Sequence, residues 1–224
     1  MNGRTGRGHL ETDEGGHRGR SAGLRVLAAV ALVAVALGAG PQKAVAYGIP
    51  VPCSSRSEAP VFAPWGDRAT YFLVPNGNFE NGSANWLLTG GAAVVDGNET
   101  YFVGGPFDGH SLLIPPNATA ESRTICVSLG EDTIRLFVNN QHVSGAILHV
   151  DAIAQNPSNG ATAWTAFDVN GDVPSAAWAP TMQFKIPRQF GGSGTEALTL
   201  RFTTRGTAAT WNIDDVYVDP FKSW

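Results

Sequence analysis

The sequence predicts an all-β fold, a sandwich of about eight to ten antiparallel strands standing behind a cleavable leader. Three observations carry this expectation. Short runs rich in Val, Thr, Ala and Trp recur between residues 67 and 220, turn clusters separate them, and no stretch beyond the leader repeats apolar residues at helical spacing.

The leader spans residues 1–46. Arg18, Arg20 and Arg25 precede an apolar run from Val26 to Leu37, and Ala44-Val45-Ala46 supplies the small-x-small pattern that signal peptidase accepts. A transmembrane helix needs about 20 apolar residues, more than this run provides. The residues before Cys53 are Pro50-Val51-Pro52, unlike a lipoprotein attachment site. The expected product therefore begins at Tyr47, is secreted, and keeps no membrane-inserted segment.

Residues 47–224 carry 9 Lys and Arg against 16 Asp and Glu, a net charge of −7. No basic cluster offsets that charge, which argues against a nucleic-acid or anionic-membrane partner. The length suits one domain with a real core, and no linker divides residues 67–220. Two parts come after the leader: an extended segment at 47–66 and a sandwich domain at 67–224. Oligomeric state is not legible from composition.

Cys53 and Cys126 are the only cysteines, and in an exported domain they are expected to form a disulfide that staples the Pro-rich segment to the body. Neither has a His or a second Cys at metal-ligand spacing.

Strands are predicted near 71–74, 86–95, 110–114, 119–128, 133–139, 145–154, 161–169, 178–186, 195–204 and 209–218. Between them stand Asn81-Gly82, Asp96-Gly97, Gly104-Gly105-Pro106, Asn159-Gly160, Asn170-Gly171-Asp172 and the glycine-rich residues 191–194. Alternation assigns faces. Leu198, Leu200 and Phe202 oppose Ala197, Thr199, Arg201 and Thr203; Ile134, Leu136 and Val138 oppose Thr133, Arg135 and Phe137. In the last strand Asp214, Val216 and Val218 are set against Ile213, Asp215 and Tyr217.

Asn76-Gly77-Asn78-Phe79-Glu80 with the following Trp86, and the closing Trp211-Asn212-Ile213-Asp214-Asp215-Val216, form a pair of bookends. They resemble the jelly-roll domains of the galactose-binding-like superfamily, especially secreted bacterial carbohydrate-binding modules. The span from about 71 to 219 also resembles a group of exported actinobacterial proteins sharing Gly97-Asn98-Glu99, the Cys126 strand and the ending Asp214 to Pro220. The resemblance implies a jelly-roll β-sandwich and a noncatalytic module that binds an extracellular or cell-wall glycan. It further implies a structural calcium held by Glu80 with Asp214 or Asp215, since calcium takes six to eight oxygens and would pin the chain ends together. The alternative is that Asp214 and Asp215 end a ladder and accept hydrogen bonds from turn amides. Asp168-Val169-Asn170-Gly171-Asp172 has the opening of a calcium loop, but it lacks the glycine at the sixth position and the distal Glu, and reads better as a hairpin turn.

Catalysis finds little support. Gly109-His110-Ser111-Leu112-Leu113 lacks the second glycine of a nucleophile elbow. His110, His142 and His149 show no short ligand spacing, and His149 reads as an ordinary residue on a wet face. A glycosidase needs two carboxyls about 5 to 10 Å apart; Glu99 beside Tyr101 and Asp151 beside His149 are the pairs to inspect. For sugar binding, Trp86, Trp178 and Trp211 fall at core positions. Trp164, Tyr101 and Phe167 remain as ring candidates, with Asn139, Asn140 and Gln141 as polar neighbours. Trp164 and Phe167 are three apart, hence on opposite faces of a strand. The sequons at Asn81, Asn98 and Asn117 read as accidental in a bacterial protein. The sequence thus points to a carbohydrate-binding module, with a structural or adhesion protein of the cell envelope as the alternative and a glycan-processing enzyme behind both.

Overall fold

A computed structural model describes residues 53, 56–128, 130–141, 145–156, 161–170, 177–187, 195–206 and 208–219, all within one unit, Val45–Trp224. The leader, His142, Asn159-Gly160, Gly171-Asp172 and residues 191–194 lie outside the described residues.

In chain order the strands are β1 (Glu58–Ala59), β2 (Tyr71–Leu73), β3 (Trp86–Thr89), β4 (Ala93–Asp96), β5 (His110–Ile114), β6 (Thr119–Ser122) and β7 (Ile125–Val127). They continue as β8 (Thr133–Asn139), β9 (Ile147–Gln155), β10 (Thr162–Asn170), β11 (Ala179–Pro180), β12 (Phe184–Lys185), β13 (Glu196–Arg205) and β14 (Trp211–Asp219). All pairings among them are antiparallel. One sheet runs β5–β14–β8 with β11 and β12 on the far side of β8; the other runs β6–β13–β9–β10. Counting β6–β7 and β11–β12 each as one divided strand, the chain of this frame alternates between the sheets except at the β9–β10 hairpin, the connectivity of a jelly roll. To this frame β2 adds beside the second half of β14 with β1 outside it, β4 adds outside β5, and β3 adds outside β6.

The main core lies between the sheets. Leu148, Val150 and Ala152 of β9 and Leu198, Leu200 and Phe202 of β13 meet Ile134, Leu136 and Val138 of β8, the faces that alternation assigned. Three expected strands are each divided in two. The 86–95 run breaks at Gly90, where a Cβ would stand 2.8 Å from the Ala118 Cα; the chain turns there and β4 joins the other sheet. The 119–128 run becomes β6 and β7, which flank different halves of β13. The 178–186 run is reduced to β11 and β12 because the ladder stops at Thr181, whose hydroxyl takes the Leu136 amide at 3.2 Å while its carbonyl accepts from Arg135 Nε at 2.9 Å.

The last strand departs from simple alternation. Asp214 pairs with Phe137 but Tyr217 pairs with Arg135, so β14 carries one extra residue there, and Asp215 takes φ +49°. Ile213 and Val216 consequently both face the core, and Asp214 and Asp215 are both fully buried.

The N-terminal segment packs where a staple would put it. Cys53 is bonded to Cys126 with Cα atoms 5.4 Å apart. Arg56 pairs with Glu131 at 2.8 Å and lies over the Phe72 ring. Phe62 inserts among Tyr71, Phe137 and Tyr217, closing a second apolar cluster on the outer face of the β14 sheet. Among the described residues no helix is long and apolar enough to cross a membrane.

Replacing both cysteines with alanine is expected to cost about 4 kcal/mol, read as a lower urea midpoint at unchanged slope. Phe62→Ala should cost about 3 to 5 kcal/mol, and an unshifted midpoint there would mean that the segment is laid on the sheet without contributing to it.

Candidate functional site

With the outer face of the β14 sheet covered, the outer face of the other sheet is left to meet solvent. Register sets its residues in rows. One row crosses five strands as Leu87, Glu121, Arg201, Asp151 and Ala166. The next crosses the same strands as Thr89, Thr119, Thr203, His149 and Asp168. A third sets Thr199 against Ile153 and Ile153 against Trp164. Trp164 is 62% exposed and marks one side of the face, while Leu87 marks the other. A pocket lined by Asn85, Trp86, Leu87, Glu121, Ser122 and Arg123 opens beside Leu87.

The polar groups of this face are bonded to one another. Arg201 Nε donates to Glu121 at 2.8 Å, and the Thr119 and Thr203 hydroxyls lie 3.3 Å apart. His149 is more than an ordinary wet-face residue. Its Nδ1 is 2.5 Å from Asp168 Oδ1, its Nε2 is 3.0 Å from Asp151 Oδ1, and Trp164 Nε1 donates to that same Asp151 oxygen at 3.0 Å. Flanking side chains leave His149 only 9% exposed. The imidazole fills the space between the two carboxyls, where the water of an inverting glycosidase would have to stand.

The other candidates from the sequence do not join Trp164. Phe167 faces inward and stacks on Phe184 at 3.7 Å. Tyr101, 47% exposed, packs edge-on against Trp65 at 4.8 Å, and its hydroxyl donates to the Trp178 carbonyl at 3.2 Å, which places it with the second apolar cluster. Asn140 is buried just past the end of β8, and Gln141 donates to Asn212 at 2.7 Å. Trp86 and Trp211 are core residues, and Trp178 packs on the second cluster.

A second concentration of chemistry lies under the loop from 97 to 109. The β14 bulge turns Asp214 and Asp215 toward this loop, and its amides hold them: Glu99 N donates to Asp214 at 3.0 Å and Gly104 N to Asp215 at 3.2 Å. Glu99, itself fully buried, accepts from the amides of Tyr101 and Val103. That burial denies a substrate access to Glu99. Asp215 Oδ1 is buried with no N–H donating to it, and the Glu99 carboxyl is the side chain within hydrogen-bonding reach of Asp215. A point where a Cβ would sit on Gly104 is 2.4 Å from Asp108 Oδ2 and 2.6 Å from Asp215 Oδ1, so two carboxyls converge on the space that this glycine leaves. Burial, then the neighbouring charges, pushes Asp214 up to about 9 and Asp215 up to about 8. Burial likewise raises Glu99 and Asp108.

Glu80 stands apart from Asp214 and Asp215 in its bonding. It accepts from the amides of Gly109 and His110 and from His110 Nδ1 at 2.9 Å. Burial alone would raise this carboxyl, but those hydrogen bonds bring it below its ordinary value. Among the described residues no group of three or more His, Cys, Asp or Glu stands as a ready metal cage. Glu99 and Asp108 were missed as partners of the bookend acids. The run Gly97-Asn98-Glu99 was visible, but nothing local says that its carboxyl turns inward.

No family model matches the chain. No curated protein matches it either. Among solved structures, it is similar to a family 61 carbohydrate-binding module in complex with β-1,4-galactotriose, at 17% identity and a TM-score of 0.40, over 65% of this chain and 96% of that one. A family 22 xylan-binding domain from a Paenibacillus barcinonensis xylanase is similar at 17% identity and a TM-score of 0.41, over 66% of this chain and 94% of that one. A Clostridium thermocellum endo-1,4-β-xylanase fragment with xylohexaose is similar at 16% identity and a TM-score of 0.44, over 66% of this chain but only 28% of that one. The β-sandwich itself is defined by the strand order above.

The buried acids fix the sign of a pH dependence. A carboxyl whose folded value stands above its ordinary 3.8 holds its proton more tightly when folded, so the native state carries more protons between the two values and stability falls as pH rises. In chelator, the urea midpoint is expected to drop steadily from about pH 4 to about pH 9. Asp214→Asn should flatten part of that slope.

Proposed function

We propose that the protein is a secreted, noncatalytic carbohydrate-binding module whose ligand lies across the outer face of the β3–β6–β13–β9–β10 sheet. The observation that carries this reading is Trp164, a largely exposed ring held by its N–H beside rows of hydroxyl, carboxyl and guanidinium groups. Sugar rings offer an apolar face for stacking and hydroxyls for such polar rows. The leader at 1–46 supports secretion. An extracellular or cell-wall glycan is the partner this face fits.

Binding on a glycan array is the test. Trp164→Ala, at a site that contributes little to the core, should lose binding at least tenfold while the far-UV spectrum is unchanged. A protein that retains no glycan would overturn the reading.

One observation favours adhesion as a second reading. Phe107 is 94% exposed and shares its loop with the half-exposed Tyr101 and Phe102, an arrangement suited to a protein contact at the cell envelope. Cross-linking on whole cells would recover a partner lost in Phe107→Ser.

A structural calcium belongs to the same proposal. Two donors suit it, since Asp108 and Asp215 converge on the space beside Gly104, whereas Glu99 lies beside them with its oxygens engaged by the Tyr101 and Val103 amides. Of the residues named from the sequence, Asp215 would hold the ion, whereas the Asp214 and Glu80 oxygens are engaged by amides and by His110. The ion would supply the positive charge that these acids lack. Calcium at about a hundred times its Kd should stabilise the fold by about 2.7 kcal/mol; a melting midpoint identical with calcium and with chelator counts against the site.

A further inference from the structure

Asp151 Oδ1 accepts from the Trp164 indole N–H and lies as close to His149 Nε2, each at 3.0 Å. The other ring nitrogen of His149 contacts Asp168 Oδ1 at 2.5 Å, and Arg205 approaches that same oxygen at 3.9 Å. The result is a chain, Arg205–Asp168–His149–Asp151–Trp164, that crosses β13, β10 and β9 and ends on the exposed ring.

We infer that Asp151 and His149 are positioning residues for the Trp164 ring, and that protonation of His149 sets whether the ring is held for a ligand. The inference rests on the carbohydrate reading of this face. Neutral imidazole has a single N–H, so contacts to two carboxylates are both donated only by the imidazolium. Loss of one proton leaves a nitrogen lone pair facing a carboxylate oxygen. The shorter contact, to Asp168, keeps the N–H. Two acceptors then oppose each other at Asp151.

The response of Asp151 depends on the other groups that face it and the imidazole. Thr203 lies opposite His149 on β13, and Arg201 lies opposite Asp151, with Glu121 beyond it on β6. Arg201 is the cation nearest in register to Asp151, so a carboxylate repelled by neutral His149 turns toward it and weakens its bond to the indole. Trp164 is mostly exposed and has little packing to keep its orientation otherwise. A ring fixed in advance loses less conformational freedom when a sugar stacks on it. Binding at this face should therefore weaken as pH rises.

The test monitors the Trp164 indole N–H signal in the nitrogen-15-labelled protein, assigned with Trp164→Phe, from about pH 4 to about pH 9. The signal is expected to shift in one transition that shares its midpoint with the His149 ring signals. His149→Gln should abolish the transition. Asp168→Asn, at the more exposed end of the chain, removes the negative charge and lets the side-chain amide donate to the imidazole, so the second proton is no longer demanded and the midpoint should move to lower pH; it serves if the first variant does not fold. An indole signal that does not titrate, or midpoints that agree between wild type and Asp168→Asn, would overturn the inference. A titrating indole in a protein that retains no array glycan would support the clamp and overturn the carbohydrate reading.

Discussion

The extra residue in β14 is the constraint on which much of the architecture turns. β14 is the central strand of its sheet, bordered by β8 along one side and by β5 and then β2 along the other. A regular strand would send Ile213 and Val216 to opposite faces. The bulge sends both to the core and keeps the hydrophobic register of each half, leaving Asp214 and Asp215 to be accommodated between. Carboxyls buried there are costly unless amides or a cation meet them. The loop from 97 to 109 supplies amides at Glu99 and Gly104, and its path over the sheet is set by that need.

The same sheet decides which face is available for a ligand. Its outer side presents Tyr71, Phe137 and Tyr217, too apolar to leave in water. Phe62 and Trp65 cover them, and Arg135 seals the edge by lying over the Phe62 ring while pairing with Asp67 at 2.7 Å. The disulfide keeps that segment close, so the cover does not depend on its short pairing with β2 alone. The opposite sheet is thereby left with the polar outer face.

Period-2 alternation made the faces of β8 and β13 legible, because Ile134, Leu136 and Val138, and Leu198, Leu200 and Phe202, line one side of each without a polar interruption. The division of 86–95 was not legible: Gly90-Gly91 is an ordinary turn signal, and only the approach of Ala118 from a distant part of the chain requires it. The bulge was hidden for a similar reason. Trp211 to Tyr217 alternates plausibly on paper, and a one-residue insertion shows only against the register of β8. At the candidate site, Trp164 could be found because it sits outward on a recognisable strand. Asp151, Asp168 and His149 come together across two strands, so their bonding required the pairing of β9 with β10.

A face whose polar groups already bond to one another would resist a ligand if each sugar hydroxyl had to displace a protein partner. The charge network argues the other way. Arg201 donates its Nε to Glu121, and Asp151 accepts the Trp164 N–H, so these side chains have partners before any ligand arrives. Hydrogen-bonding capacity remains on the outer edge of each group, and little rotamer entropy is left to lose. On the proposed reading, with Trp164 the one large ring exposed on this face among the described residues, stacking would supply only part of the affinity. Selectivity would then fall to the rows beside the ring, where the spacing of strands, fixed by the sheet at about 4.8 Å, would set which hydroxyls can be met together.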